Sequence, residues 1–286
     1  MTSVAATSSD RYCVMGNPVA HSRSPWIHAR FAELCGQGLR YERQHVELDG
    51  FAEAVRGFVA AGGRGCNVTV PFKLEAAQLA TTSSERVQLA GAANTLVLAA
   101  DGIHADNTDG LGLVADIVRN AGVPLAGRDL LLLGAGGAAA GALGSLLAER
   151  PRRIAVVNRT FERAQALVQR HAAIAAQHGV ELVALEQQAV DEDFDVVINA
   201  TASSLAGAEV PVPARVLRPG SLAYDMMYGP AAQGFMQWAE QHGATARDGL
   251  GMLVEQAAES FALWRGVRPP SAQVLNELRA HIAQGG

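Results

Sequence analysis

The sequence predicts an α/β protein with a parallel sheet, on three observations. From Asp129 onward, apolar strand-like runs alternate with helical stretches at the spacing of βαβ units. One of those runs, Leu130-Leu131-Leu132-Leu133, ends directly in Gly134-Ala135-Gly136 and a helix of small residues. The chain has 286 residues, too many for one small core and enough for two medium domains or one large α/β domain.

Composition narrows the class. Hydrophobic residues make up 49% and charged residues 18%, which excludes a disordered chain. A formal charge of −5 leaves no footprint for nucleic acid or an anionic membrane. No apolar run reaches the roughly 18 to 20 residues that span a bilayer. Cys13, Cys35 and Cys66 are odd in number and match no metal spacing, so a reducing cytoplasm is the simplest setting. Met1–Asp10 lacks the basic and apolar segments of a secretion signal.

In chain order, Tyr12–Gly16 reads as a short buried strand ending at a glycine. Ser24 reads as an N-cap with Pro25 at the first helical position, opening a helix to about Leu34. Leu39–Leu48 reads as a strand, and Phe51–Ala61 as a helix stopped by Gly62-Gly63. Gly65–Val70 is a third strand, with Pro71 opening a helix. Ala92–Ala99 and Gly102–His104 suggest a hairpin around Asp101-Gly102. A helix from Asp109 to Asn120 could bridge two domains. Strands follow at Asp129–Leu133, Ile154–Val157, Asp195–Ile198 and Ser221–Asp225, with a helix at Phe161–His178 and an apolar one at Leu250–Trp264.

The glycine turn has a mechanical reading. Gly134 permits the tight turn, Gly136 lets backbone approach a pyrophosphate, and small Ala139 permits close helix–strand packing. Free N–H groups at the helix start would bind the phosphates. The alternative is a glycine-rich turn with no ligand. An NAD site places Asp or Glu at the end of the next strand, about 20 residues on. Here that strand ends in Asn158-Arg159-Thr160, with Arg163 one turn into the next helix. A guanidinium suits a ribose 2′-phosphate, so the sequence predicts NADP(H) over NAD, unless Arg159 is only a solvated surface residue.

For the chemistry, Lys73 in Asn67–Lys73 falls near a helix start, a poor place for a cation and therefore one that favours a proton-exchanging amine. Asp109 in Asp106–Gly110 could keep that amine charged and oriented. The bland readings are a lysine reaching into water and an ordinary helix cap. Ser22, Ser24, Asn67, Thr69, Asn94, Thr95 and Asn107 form a set of short hydroxyl and amide side chains suited to a polyhydroxylated carboxylate, although each alone could be a turn or cap residue. The histidines show no ligand spacing, so no metal site is expected.

Together these segments closely resemble the shikimate dehydrogenases. The matching stretches are Gly16–Pro25, Asn67–Lys73, Gly91–Thr95, Asp106–Gly110, Gly134–Ala138, Asn158–Thr160 and Asp248–Ala258, in order and nearly end to end. The resemblance implies two α/β domains with a cleft between them. Residues 1–106, completed by the C-terminal helices 244–286, would bind substrate, and residues 107–243 would form a Rossmann NADP-binding domain. It implies NADPH-dependent, reversible reduction of 3-dehydroshikimate to shikimate in aromatic amino-acid (chorismate) biosynthesis. Lys73 and Asp109 would be the acid–base pair, with Lys73 the proton carrier. Ser22, Ser24 and Tyr228 would hold the substrate carboxylate, while Thr69, Asn94 and Gln256 would bond ring hydroxyls. Gly134, Ala135, Gly136, Gly137, Ala138, Asn158, Arg159, Thr160, Arg163 and Thr201 would bind the cofactor, with Met226 and Gly249 near the nicotinamide. No nucleic-acid or membrane partner is implied, and a homodimer is left open. Departures from the family pattern at Ala202, Ser204, Gln233 and Ala139-Ala140 bear on the fine shape of the NADP pocket. The competing enzymatic reading is a quinate/shikimate paralogue with relaxed substrate or NAD use; a second rival is a nucleotide-sensing protein without catalysis.

Overall fold

The computed structural model describes residues 9–201 and 210–285. The departures at Ala202 and Ser204 therefore lie outside the described residues. The chain divides into two compact units: one runs to Thr108 and resumes at Ala257, and the other spans Asp109–Gln256.

The first unit carries a mixed six-stranded sheet in the order β2-β1-β3-β5-β6-β4. Its strands are β1 (Asp10–Gly16), β2 (Leu39–His45), β3 (Gly63–Val68), β4 (Thr82–Ser83), β5 (Thr95–Ala99) and β6 (Gly102–Asp106). β1 pairs in parallel with β2 and β3, whereas β5 runs antiparallel to β3 and β6. Helices α1 (Ser24–Leu34), α2 (Phe51–Ala60), α3 (Lys73–Leu79) and α4 (Glu85–Ala90) connect them. One core gathers Met15, Phe51, Val55, Phe58, Val68, Phe72 and Leu96. Against α1 and β2, Phe261 and Trp264 complete an aromatic cluster in which His28 stacks on Tyr41 at 4.2 Å and 5°.

Two local expectations are corrected here. The N-cap of α1 is Arg23, not Ser24; Ser24 is the first helical residue, and its N–H donates to Ser22 Oγ at 3.3 Å. Pro71 follows a cis Val70–Pro71 bond, and α3 begins only at Lys73, with Phe72 as its cap. Pro71 and Phe72 form a turn, so the helix starts after that turn rather than at the ring.

The second unit opens with α5 (Asp109–Ala115), which continues as a π-helical turn over Asp116–Asn120. Then follow β7 (Asp129–Leu133), α6 (Gly137–Ala148), β8 (Arg153–Val157), α7 (Phe161–His178), β9 (Glu181–Leu185), β10 (Phe194–Asn199), β11 (Leu217–Asp225), α8 (Gln233–Gln241) and β12 (Thr245–Arg247). The chain continues in α9 (Leu250–Arg265) and α10 (Ser271–Ala283). The six strands are all parallel, ordered β12-β11-β10-β7-β8-β9. Numbered within the unit this is 6-5-4-1-2-3, the order of a doubly wound Rossmann sheet, with its switch point between β7 and β10. Leu130 to Leu133 are fully buried because helices cover both faces. Gln233 begins α8, and Ala139 and Ala140 are buried in α6 against this sheet's core. Among the described residues no helix is long and apolar enough to cross a membrane, and all three cysteines are free thiols.

His28 supplies a pH test of the first unit. Complete burial pulls its pKa from 6.5 to about 3. Between those values the unfolded chain binds the proton and the folded chain does not, so stability falls as pH falls through that window. Relative to the native chain, His28→Phe should remove about 2 kcal/mol of the stability lost between pH 7 and pH 5. Denaturant unfolding at the two pH values measures this; an unchanged pH dependence would mean that His28 is protonated in the fold.

Candidate functional site

Gly134 leaves β7 with φ +106°, and a Cβ there would lie 3.1 Å from both Ala200 O and Thr201 Cγ2. Only glycine adopts this conformation at low cost. Gly134 N–H donates to Val157 O at 2.7 Å, holding the turn to β8. Gly136 caps α6, and Cβ atoms at Gly136 or Gly137 would meet nothing within 4 Å. The turn therefore faces open space at the positive end of α6, where backbone N–H groups favour an anion.

That space belongs to an open depression of about 1070 Å³ lined by Gly134 to Ala138, Val157 to Thr160, Arg163, Gln187, Gln188, Ala200, Thr201 and Val210 to Pro213. Its volume suits a dinucleotide half, and its position at the C-terminal ends of β7 and β8 is where open parallel sheets bind ligands. Asn158 Oδ1 accepts from Ala135 N–H at 3.2 Å, and its Nδ2 donates to Thr160 O at 2.8 Å, so one side chain joins the glycine turn to the loop after β8. Arg159 and Arg163 are exposed and have no carboxylate partner among the described residues. Two uncompensated cations beside a helix N-terminus favour a phosphate.

Beyond β10 a second network begins. Asn199 Nδ2 donates to Asp225 Oδ2 at 3.0 Å, while its Oδ1 accepts from Thr201 N–H at 3.1 Å and Thr201 Oγ1 at 2.7 Å. Asp225 Oδ1 accepts from Met227 N–H at 2.8 Å. Gly249 N–H donates to Met227 O at 2.8 Å, and a Cβ at 249 would come within 2.3 Å of Met226 O, so only glycine lets these segments touch. Tyr228 precedes a short turn at Gly229–Ala232.

In the same unit, α5 is clamped through its glycines. A Cβ at Gly110 would meet Gly141 O at 2.6 Å, and one at Gly112 would meet Gln256 N at 2.6 Å. This packing against α6 and α9 fixes Asp109 at the first position of α5, where the helix dipole favours a carboxylate. Gln256, 9% exposed, donates from Nε2 to Leu253 O at 2.8 Å.

In the first unit, Ser22, Ser24, Thr69, Lys73 and Asn94 all sit on loops or helix starts at one end of the sheet. Asn17 N–H donates to Val70 O at 3.0 Å and Thr69 N–H to Met15 O at 2.9 Å, lacing the loops after β1 and β3 together. A Cβ at Gly16 would lie 2.3 Å from Thr69 Cγ2, so glycine admits that threonine. Arg43 donates two bonds to Ser22 O, at 2.9 and 2.7 Å. Lys73 O accepts from Ala93 N–H at 2.8 Å, which sets α3 beside Asn94. Asn94 Oδ1 accepts from Thr108 N–H at 2.9 Å, so its amide group is fixed with the nitrogen opposite. Asn67 lies beneath, accepting from Tyr41 Oη at 2.7 Å and donating to Thr95 Oγ1 and Ser260 Oγ at 3.2 and 2.9 Å. Burial first, then two nearby thiols, push the Tyr41 phenol well above its ordinary range, so it stays a neutral donor.

Sequence models of the family match in three parts: a shikimate dehydrogenase substrate binding domain over residues 14–96, a shikimate/quinate 5-dehydrogenase domain over 116–210, and a shikimate 5′-dehydrogenase C-terminal domain over 249–279. A relative from Acidovorax sp. (strain JS42), named shikimate dehydrogenase (NADP(+)), is 77% identical over 97% of this chain and 99% of its own. The chain belongs to the shikimate dehydrogenase family. A relative of the same name from Paracidovorax citrulli is 71% identical over 99% of this chain and 100% of its own. Among solved structures, an Ael1 enzyme from Pseudomonas putida superposes with a TM-score of 0.88 at 45% identity, covering 94% of this chain and 98% of that one. Shikimate 5-dehydrogenase from Thermus thermophilus, solved with NADP(H) and shikimate, gives 0.82 at 30%, covering 95% and 99%.

Gln187, Gln188 and Val210 to Pro213 line the depression without having been expected from the sequence. The glutamines follow β9, an edge strand without a clear apolar pattern, so no signal pointed to them.

The glycines separate two kinds of constraint. Gly134→Ala should destabilise the chain by about 1 to 3 kcal/mol, because its backbone lies where side chains are strained. Gly136→Ala should change stability by less than about 1 kcal/mol, yet weaken dinucleotide binding about tenfold or more. Chemical denaturation and calorimetric titration together check this; tight binding by Gly136→Ala would place the phosphates elsewhere.

Proposed function

We propose that this chain catalyses the NADPH-dependent, reversible reduction of 3-dehydroshikimate to shikimate, in aromatic amino-acid biosynthesis. The observation that carries this most directly is that the chain is 77% identical to an enzyme named for that activity; a lysine opening α3 (Lys73) and a carboxylate opening α5 (Asp109) support an acid–base role for the two. The cytoplasm is the expected compartment for such a biosynthetic step.

The residues of the depression fit the dinucleotide. Gly134 to Ala138 would hold its diphosphate, and Asn158, Arg159, Thr160 and Arg163 its phosphorylated ribose. Thr201 would close the other side, while Met226 and Gly249 would flank the nicotinamide. When bound, NADPH supplies the hydride. Ser22, Ser24 and Tyr228 would hold the substrate carboxylate, and Thr69, Asn94 and Gln256 its ring hydroxyls, orienting the carbonyl. Lys73 would give a proton to the carbonyl oxygen as negative charge develops there. Asp109 would accept a hydrogen bond from the ammonium and orient it. In the oxidative direction Lys73 takes the hydroxyl proton back.

Three outcomes test this. Purified protein should form NADPH from NADP+ with shikimate much faster than with quinate or with NAD+; a preference for quinate would move the chain to the paralogue reading. Lys73→Ala should lower turnover by about 10² to 10⁴ with little change in the shikimate Michaelis constant; unchanged turnover would remove the proton role. Arg159→Ala should raise the Michaelis constant for NADP+ far more than that for NAD+, and equal effects would remove the 2′-phosphate assignment.

A further inference from the structure

The second unit contains a buried ionic cluster that neither the proton chemistry nor phosphate binding uses. Asp116, fully buried on the π-helical turn after α5, receives four hydrogen bonds. Arg247 donates from Nε to Oδ2 at 2.9 Å and from its terminal nitrogen to Oδ1 at 2.6 Å. Tyr224 Oη donates to Oδ2 at 2.7 Å, and Asn120 Nδ2 to Oδ1 at 2.9 Å. The start of α9 runs across the same carboxylate: a Cβ at Gly251 would lie 1.9 Å from Oδ1.

A buried carboxylate is tolerated only when paired and hydrogen-bonded, and losing one partner leaves an uncompensated charge. Asp116 therefore fixes the spacing of everything bonded to it. Two of its partners, Tyr224 and Arg247, occupy strand ends. Tyr224 lies two residues before Met226, and Arg247 two residues before Gly249. Those two strand exits already touch, through Gly249 N–H to Met227 O and the close approach of position 249 to Met226 O. None of the four donors comes from the glycine turn or from the loop after β8. π-Helical turns are also uncommon and concentrate at functional positions.

We infer that Asp116 is a positioning residue for the nicotinamide half of the dinucleotide, acting through Tyr224 and Arg247 on the Met226 and Gly249 segments. The inference rests on the assignment of those two segments to the nicotinamide. It separates the two halves of the cofactor: the adenine half is held by the turn and the arginines, and the nicotinamide half depends in addition on this carboxylate.

The test compares two ligands on the full-length chain by calorimetry. Adenosine 2′,5′-bisphosphate carries the 2′-phosphate but no nicotinamide, whereas NADP+ carries both. Asp116→Asn should weaken NADP+ about tenfold, or ~1.4 kcal/mol, and leave the bisphosphate within about twofold. Tyr224→Phe should show the same selectivity at about threefold; it retains the charge pair and carries the test if the asparagine variant does not fold. Equal weakening of both ligands would mean general loosening of the unit and would overturn the inference, as would unchanged binding of both by folded variants. Binding reports on the inference without substrate. A native chain that binds NADP+ but leaves shikimate unreacted would strike the substrate assignment alone.

Discussion

Asn94 and Asn199 occupy corresponding problems in the two units, and the rest of each site depends on how they solve them. Where a strand leaves its sheet, backbone groups lose ladder partners while still buried, and an unpaired buried amide costs about 1 to 3 kcal/mol. Asn94 Oδ1 takes the Thr108 N–H just before the second unit begins. Asn199 Oδ1 takes the Thr201 N–H at the exit of β10, and its amide nitrogen reaches Asp225 at the exit of β11. These carboxamides set the direction in which the chain leaves the sheet. They therefore set the positions of the short polar side chains and glycines that follow.

The charges divide by the same rule. Within the second unit the buried carboxylate Asp116 is fully paired, because no ligand or solvent could stabilise it. Arg159 and Arg163, by contrast, are exposed and lack carboxylate partners among the described residues. Water solvates them in the free chain, and a phosphate can replace that water on binding. Buried pairs hold shape while exposed cations stay open to a ligand, so stability and the proposed recognition fall on different residues.

Much of the second unit was legible in the sequence because its physics is local. β7 and β8 are short continuous apolar runs bounded by glycine or polar turns, as doubly covered parallel strands must be. The glycine turn was readable from strand, turn and helix in succession, while the 2′-phosphate role of Arg159 is a proposal drawn from its place after the next strand. β9 and β12 are edge strands of mixed burial, and β12 has only three residues, so neither carries a periodic signal. The cap of α1 was misplaced because a serine before proline satisfies the local rule, while the loop instead uses Ser22 to bond Ser24 N–H. Likewise Pro71 reads as a helix opener, but it and Phe72 lie in a turn and α3 begins at Lys73. Asp116 gave no signal at all: its partners Tyr224 and Arg247 lie 108 and 131 residues away, and only the parallel sheet brings them beside it. The roles proposed for Lys73 and Asp109 were read first from their places near helix starts and then from the resemblance, since each residue alone also reads as an ordinary surface lysine or helix cap.

The central claim is that a hydride from the dinucleotide and a proton from Lys73 reach the same carbonyl. A crystal structure of this chain with NADP+ and shikimate tests it most directly. The account predicts the nicotinamide hydride position about 3 to 3.5 Å from the carbinol carbon, with Lys73 Nζ and Asp109 both within hydrogen-bond reach of the hydroxyl on that carbon. Shikimate bound with that hydroxyl turned away from both side chains, toward water or another donor, would contradict it.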